Sequence, residues 1–135
     1  MTNQVLVVDD EPFILRSLTY VLQKKGFDVL QAWNGEEGLE TIRRERPRLV
    51  FLDVMMPKMS GFDVCRAVRS EPWGDQIWIV MLTAKGQESD RERGLAAGVD
   101  EYMTKPFSPS RIVEKAHQYL TVARAPEEAE AKDPA

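Results

Sequence analysis

Apolar residues along this chain alternate between two rhythms. Gln4 to Val8 (QVLVV), Leu49 to Asp53 (LVFLD) and Ile77 to Leu82 (IWIVML) are short, nearly unbroken apolar runs. Such runs predict strands buried on both faces. Between them apolar positions recur every three or four residues, as helices require. Ile14, Leu15, Leu18, Val21 and Leu22 follow Pro12, whose missing N–H is no loss in a first helical turn, and Lys24, Lys25 and Gly26 end the pattern. Asp28 to Ala32 forms a second short strand, and Asn34 is the expected N-cap of a helix carrying Leu39 and Ile42 up to Pro47. After Asp53 the loop VMMPKMSG leads to Ser60 with Asp63 three residues on, a capping-box spacing, and Phe62, Cys65 and Val68 line one helical face. The loop SEPWGD precedes IWIVML, which ends at Thr83.

The next stretch, KGQESDRERGLAAG, is a helix candidate with little apolar surface, for which Leu95, helped by Ala96 and Ala97, is the expected anchor. So weak a grip places Gln87 to Ala97 at the low-stability end of a domain, where moving parts are found. Glu101 to Thr104 makes a short fifth strand, ending at Lys105 and Pro106. Ser108 and Pro109 then open a last helix with Ile112, Val113, Ala116, Tyr119 and Leu120 facing inward. Strict alternation of five strands and five helices predicts an α/β fold: a doubly wound parallel sheet with helices on both faces.

Composition narrows the class. At 135 residues, 43% hydrophobic and 30% charged, the chain is expected to be one globular domain over residues 1–122. Residues 123–135, rich in Ala, Glu and Pro, read as a disordered tail or the start of a linker. No apolar run approaches the ~20 residues of a membrane span, and MTNQVLVVDD lacks a basic leader, so neither membrane insertion nor secretion is expected. The single cysteine fits a cytoplasmic location. A net charge of -4 argues against nucleic-acid binding by this chain itself. His117 has no ligand partner at useful spacing, and Cys65, Trp33, Trp73 and Trp78 read as core or half-exposed packing. Arg43, Arg44 and Arg46 read as a solvated helix end.

The strand ends carry the chemistry. Asp9 and Asp10 end the first strand, Asp53 the third, Thr83 the fourth and Lys105 the fifth. In a parallel sheet these ends share one edge, where ligands bind in open α/β folds. Three carboxylates held together repel one another and call for a cation. All-oxygen ligands suit Mg²⁺ (or Mn²⁺), which commonly bridges to phosphate. The residues fit a phosphoryl site: an Asp53 carboxylate as acceptor, with the Lys105 ammonium and the Thr83 hydroxyl on the phosphoryl oxygens.

The ordered set VVDDE, FLDVMMP, MLTA and YMTKPF resembles the receiver domain of two-component response regulators, over about residues 4 to 120. That resemblance implies a flavodoxin-like sheet of order 2-1-3-4-5, the order that members of this family illustrate. It implies Asp53 as phosphoacceptor, and Asp9, Asp10, Asp53 and the Met55 backbone carbonyl as metal ligands. It further implies Thr83, Ala84 and Lys105 as phosphoryl contacts, Tyr102 as a switch aromatic and a cis peptide bond at Lys105-Pro106. In this family Met55 and Lys85 occupy positions that influence water attack on the phosphoryl group, and their bulk suggests slow hydrolysis.

By the same resemblance the chain is a signalling switch rather than an enzyme, although it assists its own phosphorylation and slow dephosphorylation. Its partners would be a sensor histidine kinase or phosphotransfer protein on one side, and a downstream protein or missing output domain on the other. A single-domain phosphotransfer intermediate is an alternative. An aspartyl-phosphate phosphatase is another, although VVDDEP lacks the DxDx[TV] pattern of those enzymes. The segment DRERGLAAGVDEYMTKPFSP resembles the winged-helix transcription-factor subfamily, whose receivers dimerise on phosphorylation through helix four, strand five and helix five. Here Arg111 stands where an acidic residue usually faces the basic position matched by Arg91, and like charges in such a contact repel.

Overall fold

Every strand and helix read from the apolar rhythm forms in the computed structural model, which describes residues 3–83, 88–105 and 108–121. The strands are β1 (Gln4–Val8), β2 (Asp28–Ala32), β3 (Leu49–Asp53), β4 (Trp78–Thr83) and β5 (Glu101–Thr104). They alternate with α1 (Pro12–Lys24), α2 (Gly35–Glu45), α3 (Gly61–Arg69), α4 (Glu88–Ala97) and α5 (Pro109–Leu120). All pairings are parallel and the order is β2-β1-β3-β4-β5, as expected from the resemblance. The C-terminal ends of β1, β3, β4 and β5 therefore lie at one edge.

The unbroken apolar runs are explained by a sheet that is covered on both faces. Leu6, Val8, Val50, Leu52, Ile79 and Met81 face a core closed by α2, α3 and the end of α4. Val5, Val7, Leu49, Phe51, Val80 and Leu82 face the opposite core, closed by α1 and α5. All five residues of β3 are buried, which makes it the central strand and fixes the height of Asp53.

The helix starts follow their caps. Asn34 Oδ1 accepts from the Glu37 amide at 2.8 Å. Both halves of the Ser60/Asp63 capping box form, at 3.2 and 3.1 Å. Ser108 Oγ accepts from the Arg111 amide at 3.4 Å.

Two expectations need correction. Strand β4 begins at Trp78 rather than Ile77, because SEPWGD folds into a 3-10 turn, Gly74–Gln76, that Ile77 closes. Leu95 is not the anchor of α4: its side chain is 67% exposed. Among the α4 positions whose burial is described, 92–97, the buried ones are Gly94 and Ala97, three residues apart on the inward face, while Ala96 points outward. Arg93 lies over the Phe62 ring, 4.4 Å from its centroid, and adds a cation–π contact to α3.

No helix among the described residues is long and apolar enough to cross a membrane. Residues 123–135 lie outside the described residues, as does the expected disorder there.

Candidate functional site

Four strand ends deliver the site. Asp9 follows β1 and is fully buried; its amide donates to Ala32 O on β2 at 3.2 Å, and one carboxylate oxygen accepts the Glu11 amide at 2.9 Å. Asp10, next in sequence, is exposed. Asp53 closes β3 and is 6% exposed. Thr83 closes β4, one residue beyond Leu82, the register partner of Asp53, and is buried. Lys105 leaves β5 with its amide donating to Thr83 O at 2.7 Å, so the backbone itself holds these two residues side by side.

The Lys105 ammonium donates to Asp9 Oδ2 and to Asp53 Oδ1, both at 3.3 Å. One cation thus serves two buried carboxylates, with a third acid alongside. Carboxylate oxygens of Asp9, Asp10 and Asp53 all lie within 4.8 Å of one another. The protonation balance records the deficit. Burial, reinforced by the Asp9 charge, pushes the Asp53 carboxyl up to about 7 despite Lys105. Burial also raises Asp9, opposed by the Glu11 amide and Lys105. For Lys105 burial favours the neutral amine, but the charges of Asp53 and Asp9 outweigh it and the ammonium is held above its ordinary value.

The donor set fits a hard divalent cation. Three carboxylates supply oxygen ligands only, among the described residues the Lys105 ammonium bonds two of them, and Asp10 keeps the cluster open to water.

The loop after β3 shapes the mouth. Val54 N donates to Leu82 O at 3.0 Å and Gly61 N returns to Val54 O at 2.9 Å, closing the loop under Asp53. Gly61 was not singled out from the sequence, yet the site needs it: a Cβ there would lie 2.3 Å from the Asp53 carbonyl. The glycine that starts α3 after MMPKMS was the available signal. Lys58 takes φ 73, a left-handed conformation that a side chain makes costly. Met55 is exposed at the rim. Tyr102 is half-buried on β5, its ring packed toward α4. Ala84, Lys85 and Pro106 lie outside the described residues.

The arrangement can neutralise, orient and accept an electrophilic phosphoryl group, because a carboxylate, an ammonium and a hydroxyl converge at one sheet edge. Comparison with known proteins points the same way. The family model described as response regulator receiver domain matches residues 5–117. The alkaline phosphatase synthesis transcriptional regulatory protein PhoP of Bacillus subtilis is 46% identical over 112 residues, covering 83% of this chain and 46% of that protein. The DNA-binding response regulator MtrA of Mycolicibacterium smegmatis is 42% identical over 120 residues, 89% of this chain and 51% of that one. The chain thus spans about half the length of these curated relatives. Among solved structures, a CheY-like response regulator receiver domain protein from Methanospirillum hungatei superposes with a TM-score of 0.81 at 30% identity, over 90% of this chain and 95% of that one.

Proposed function

This chain belongs to the response regulator receiver domain family, and from that premise we propose that Asp53 is its phosphoacceptor in a histidine-to-aspartate phosphorelay. The observation that carries this reading is the Lys105 ammonium, 3.3 Å from both Asp9 and Asp53, with Thr83 backbone-paired beside it. An Asp53 carboxylate oxygen forms the new O–P bond as the donor's N–P bond breaks, and the electron pair returns to the donor imidazole nitrogen. Lys105 shifts toward the transferred oxygens and the Thr83 hydroxyl donates to one of them.

Asp9, Asp10, Asp53 and the Met55 carbonyl are the proposed ligands of Mg²⁺ or Mn²⁺. When bound, the ion supplies positive charge to the carboxylate and phosphoryl oxygens. The donor is a sensor histidine kinase or a phosphotransfer protein. The same site makes the chain a switch rather than an enzyme, with slow self-dephosphorylation.

The output is read from the α4, β5 and α5 surface. Phosphorylation draws Thr83 toward the phosphoryl group, Tyr102 turns inward, and that surface changes to control a partner, a dimer or an attached output domain. Because PhoP and MtrA are regulators about twice this length, residues 1–122 are proposed as the receiver and 123–135 as the start of a linker toward such a domain.

The test is incubation with a small phosphodonor such as acetyl phosphate and Mg²⁺, read by intact mass. Wild type should gain one acid-stable, base-labile phosphoryl group. Asp53→Asn should gain none; label retained in that variant sinks the assignment.

A further inference from the structure

Gly94 lies on the buried side of α4, directly over Tyr102 of β5. A Cβ built at position 94 would fall 2.6 Å from Tyr102 Cε2 and closer still to Cζ and the hydroxyl oxygen. The Tyr102 ring therefore fills the volume that any other residue at 94 would claim for its own side chain.

Glycine inside a helix is unfavourable relative to alanine, so its presence here needs a reason. Backbone freedom is not the reason. The left-handed glycine of this segment is Gly98, at φ 98, which closes α4; Gly94 has no such conformation. What position 94 uses is the absence of a side chain. Among the described residues the rest of the contact is lean: Ala97 is buried, Leu95 faces solvent, and the Gly98 carbonyl is held by Arg69 Nε at 2.8 Å. Tyr102 packs against the same core cluster as Ala97, Val99 and Phe62, and so completes the floor under α4.

We propose that Gly94 is a positioning residue of the switch: its bare Cα creates the seat that holds the Tyr102 ring against α4, and so sets the balance between seated and displaced tyrosine. This rests on the receiver reading above, in which Tyr102 moves with Thr83. A phosphoryl group shifts that balance only through its differential affinity for the two placements. Removing one placement must then alter the affinity for a phosphoryl mimic, by linkage.

The experiment uses the full chain as wild type, Gly94→Ala, Tyr102→Ala and the double variant. In thermal unfolding, Gly94→Ala should lower Tm while Tyr102 is present. In the Tyr102→Ala background the same change should raise Tm by about 3–6 °C, because alanine is then free to act as the better helix former. This reversal of sign is the expected result; an equal shift in both backgrounds overturns the seat. If Gly94→Ala alone does not fold, recovery of folding in the double variant supports the seat, and failure to recover overturns it.

The second readout is titration of beryllium fluoride with Mg²⁺. Gly94→Ala should move half-saturation by about fivefold or more, whereas an unchanged value refutes the link to the switch. Should wild type fail to bind the mimic, or Asp53→Asn bind it equally, the phosphoacceptor reading fails instead, and the unfolding cycle still decides the seat.

Discussion

Arg69 and Asp100 form a half-buried ion pair, Nη2 to Oδ2 at 2.9 Å, that ties α3 to the turn entering β5. The guanidinium spends its other donors on the carbonyls of Gly74, Ile77 and Gly98, at 2.6 to 2.8 Å. Asp100 Oδ2 also accepts the Ile79 amide at 2.8 Å. One side chain thus closes the 3-10 turn, the start of β4 and the end of α4, where apolar contact is thin.

The two partners should not be equivalent on removal. Arg69→Met takes the charge partner from a half-buried carboxylate and a donor from each of three carbonyls, so urea unfolding should show a loss of about 2–4 kcal/mol. Asp100→Asn keeps an acceptor for the Ile79 amide and should cost less, about 1–3 kcal/mol. Equal losses would contradict the asymmetry.

The raised Asp53 carboxyl sets a pH dependence of stability. Its pKa moves from 3.8 in the unfolded chain to about 7 in the fold, so the folded state holds the proton more tightly. Below 3.8 both states are protonated and this group adds nothing to the slope. Between 3.8 and about 7 the folded state carries the extra proton and stability falls as pH rises. Above that the full cost of the buried charge is present. In chelator, Asp53→Asn should therefore flatten the decline between pH 5 and pH 8 and be more stable than wild type at pH 8. Mg²⁺ should stabilise wild type more at pH 8 than at pH 5, and stabilise Asp53→Asn less. An unchanged slope in Asp53→Asn would place the pH dependence elsewhere.

Lys58 gives a local test in the loop beside the site. At φ 73 it occupies a conformation that glycine adopts freely. Lys58→Gly should raise stability by about 0.5–1 kcal/mol, the left-handed strain relieved less the extra chain entropy of glycine. Lys58→Val should lower it, since a β-branched side chain tolerates this region worst. Denaturant midpoints for the pair decide the matter, and an unchanged order would show that the loop relaxes.

The sheet and the acidic site were legible because each depends on a local signal. LVFLD carries its own double burial, Asn34 and Ser60 carry their caps, and Asp9, Asp53, Thr83 and Lys105 each end or directly follow a strand whose edge follows from parallel topology. What escaped depends on partners distant in sequence. Leu95 was the natural anchor by size, but the buried positions described in α4 are Gly94 and Ala97, and a glycine gives no apolar signal when another element's ring fills its place. The Arg69 network spans separations of 5, 8, 29 and 31 residues, which no spacing rule links. Gly61 is set by backbone approach to Asp53, visible only once the loop is closed.

The exposure of Leu95 also bears on assembly. A leucine left 67% exposed on α4 gains up to ~2 kcal/mol if buried against a second copy, and that gain counts once per subunit. Arg111 is exposed at the start of α5; in the dimer that the subfamily resemblance implies it would meet the basic position matched by Arg91 and work against the contact. Light scattering with Mg²⁺ and beryllium fluoride separates the two effects. Arg111→Glu should dimerise at about a tenth of the concentration wild type needs, since one rim charge pair of like sign becomes attractive on each side of the two-fold. Leu95→Asp should remain monomeric, and Asp53→Asn should not respond to the mimic. If Arg111→Glu leaves the association constant unchanged, the surface of α4, β5 and α5 does not meet its copy in this way, and the exposed leucine is left to a partner protein.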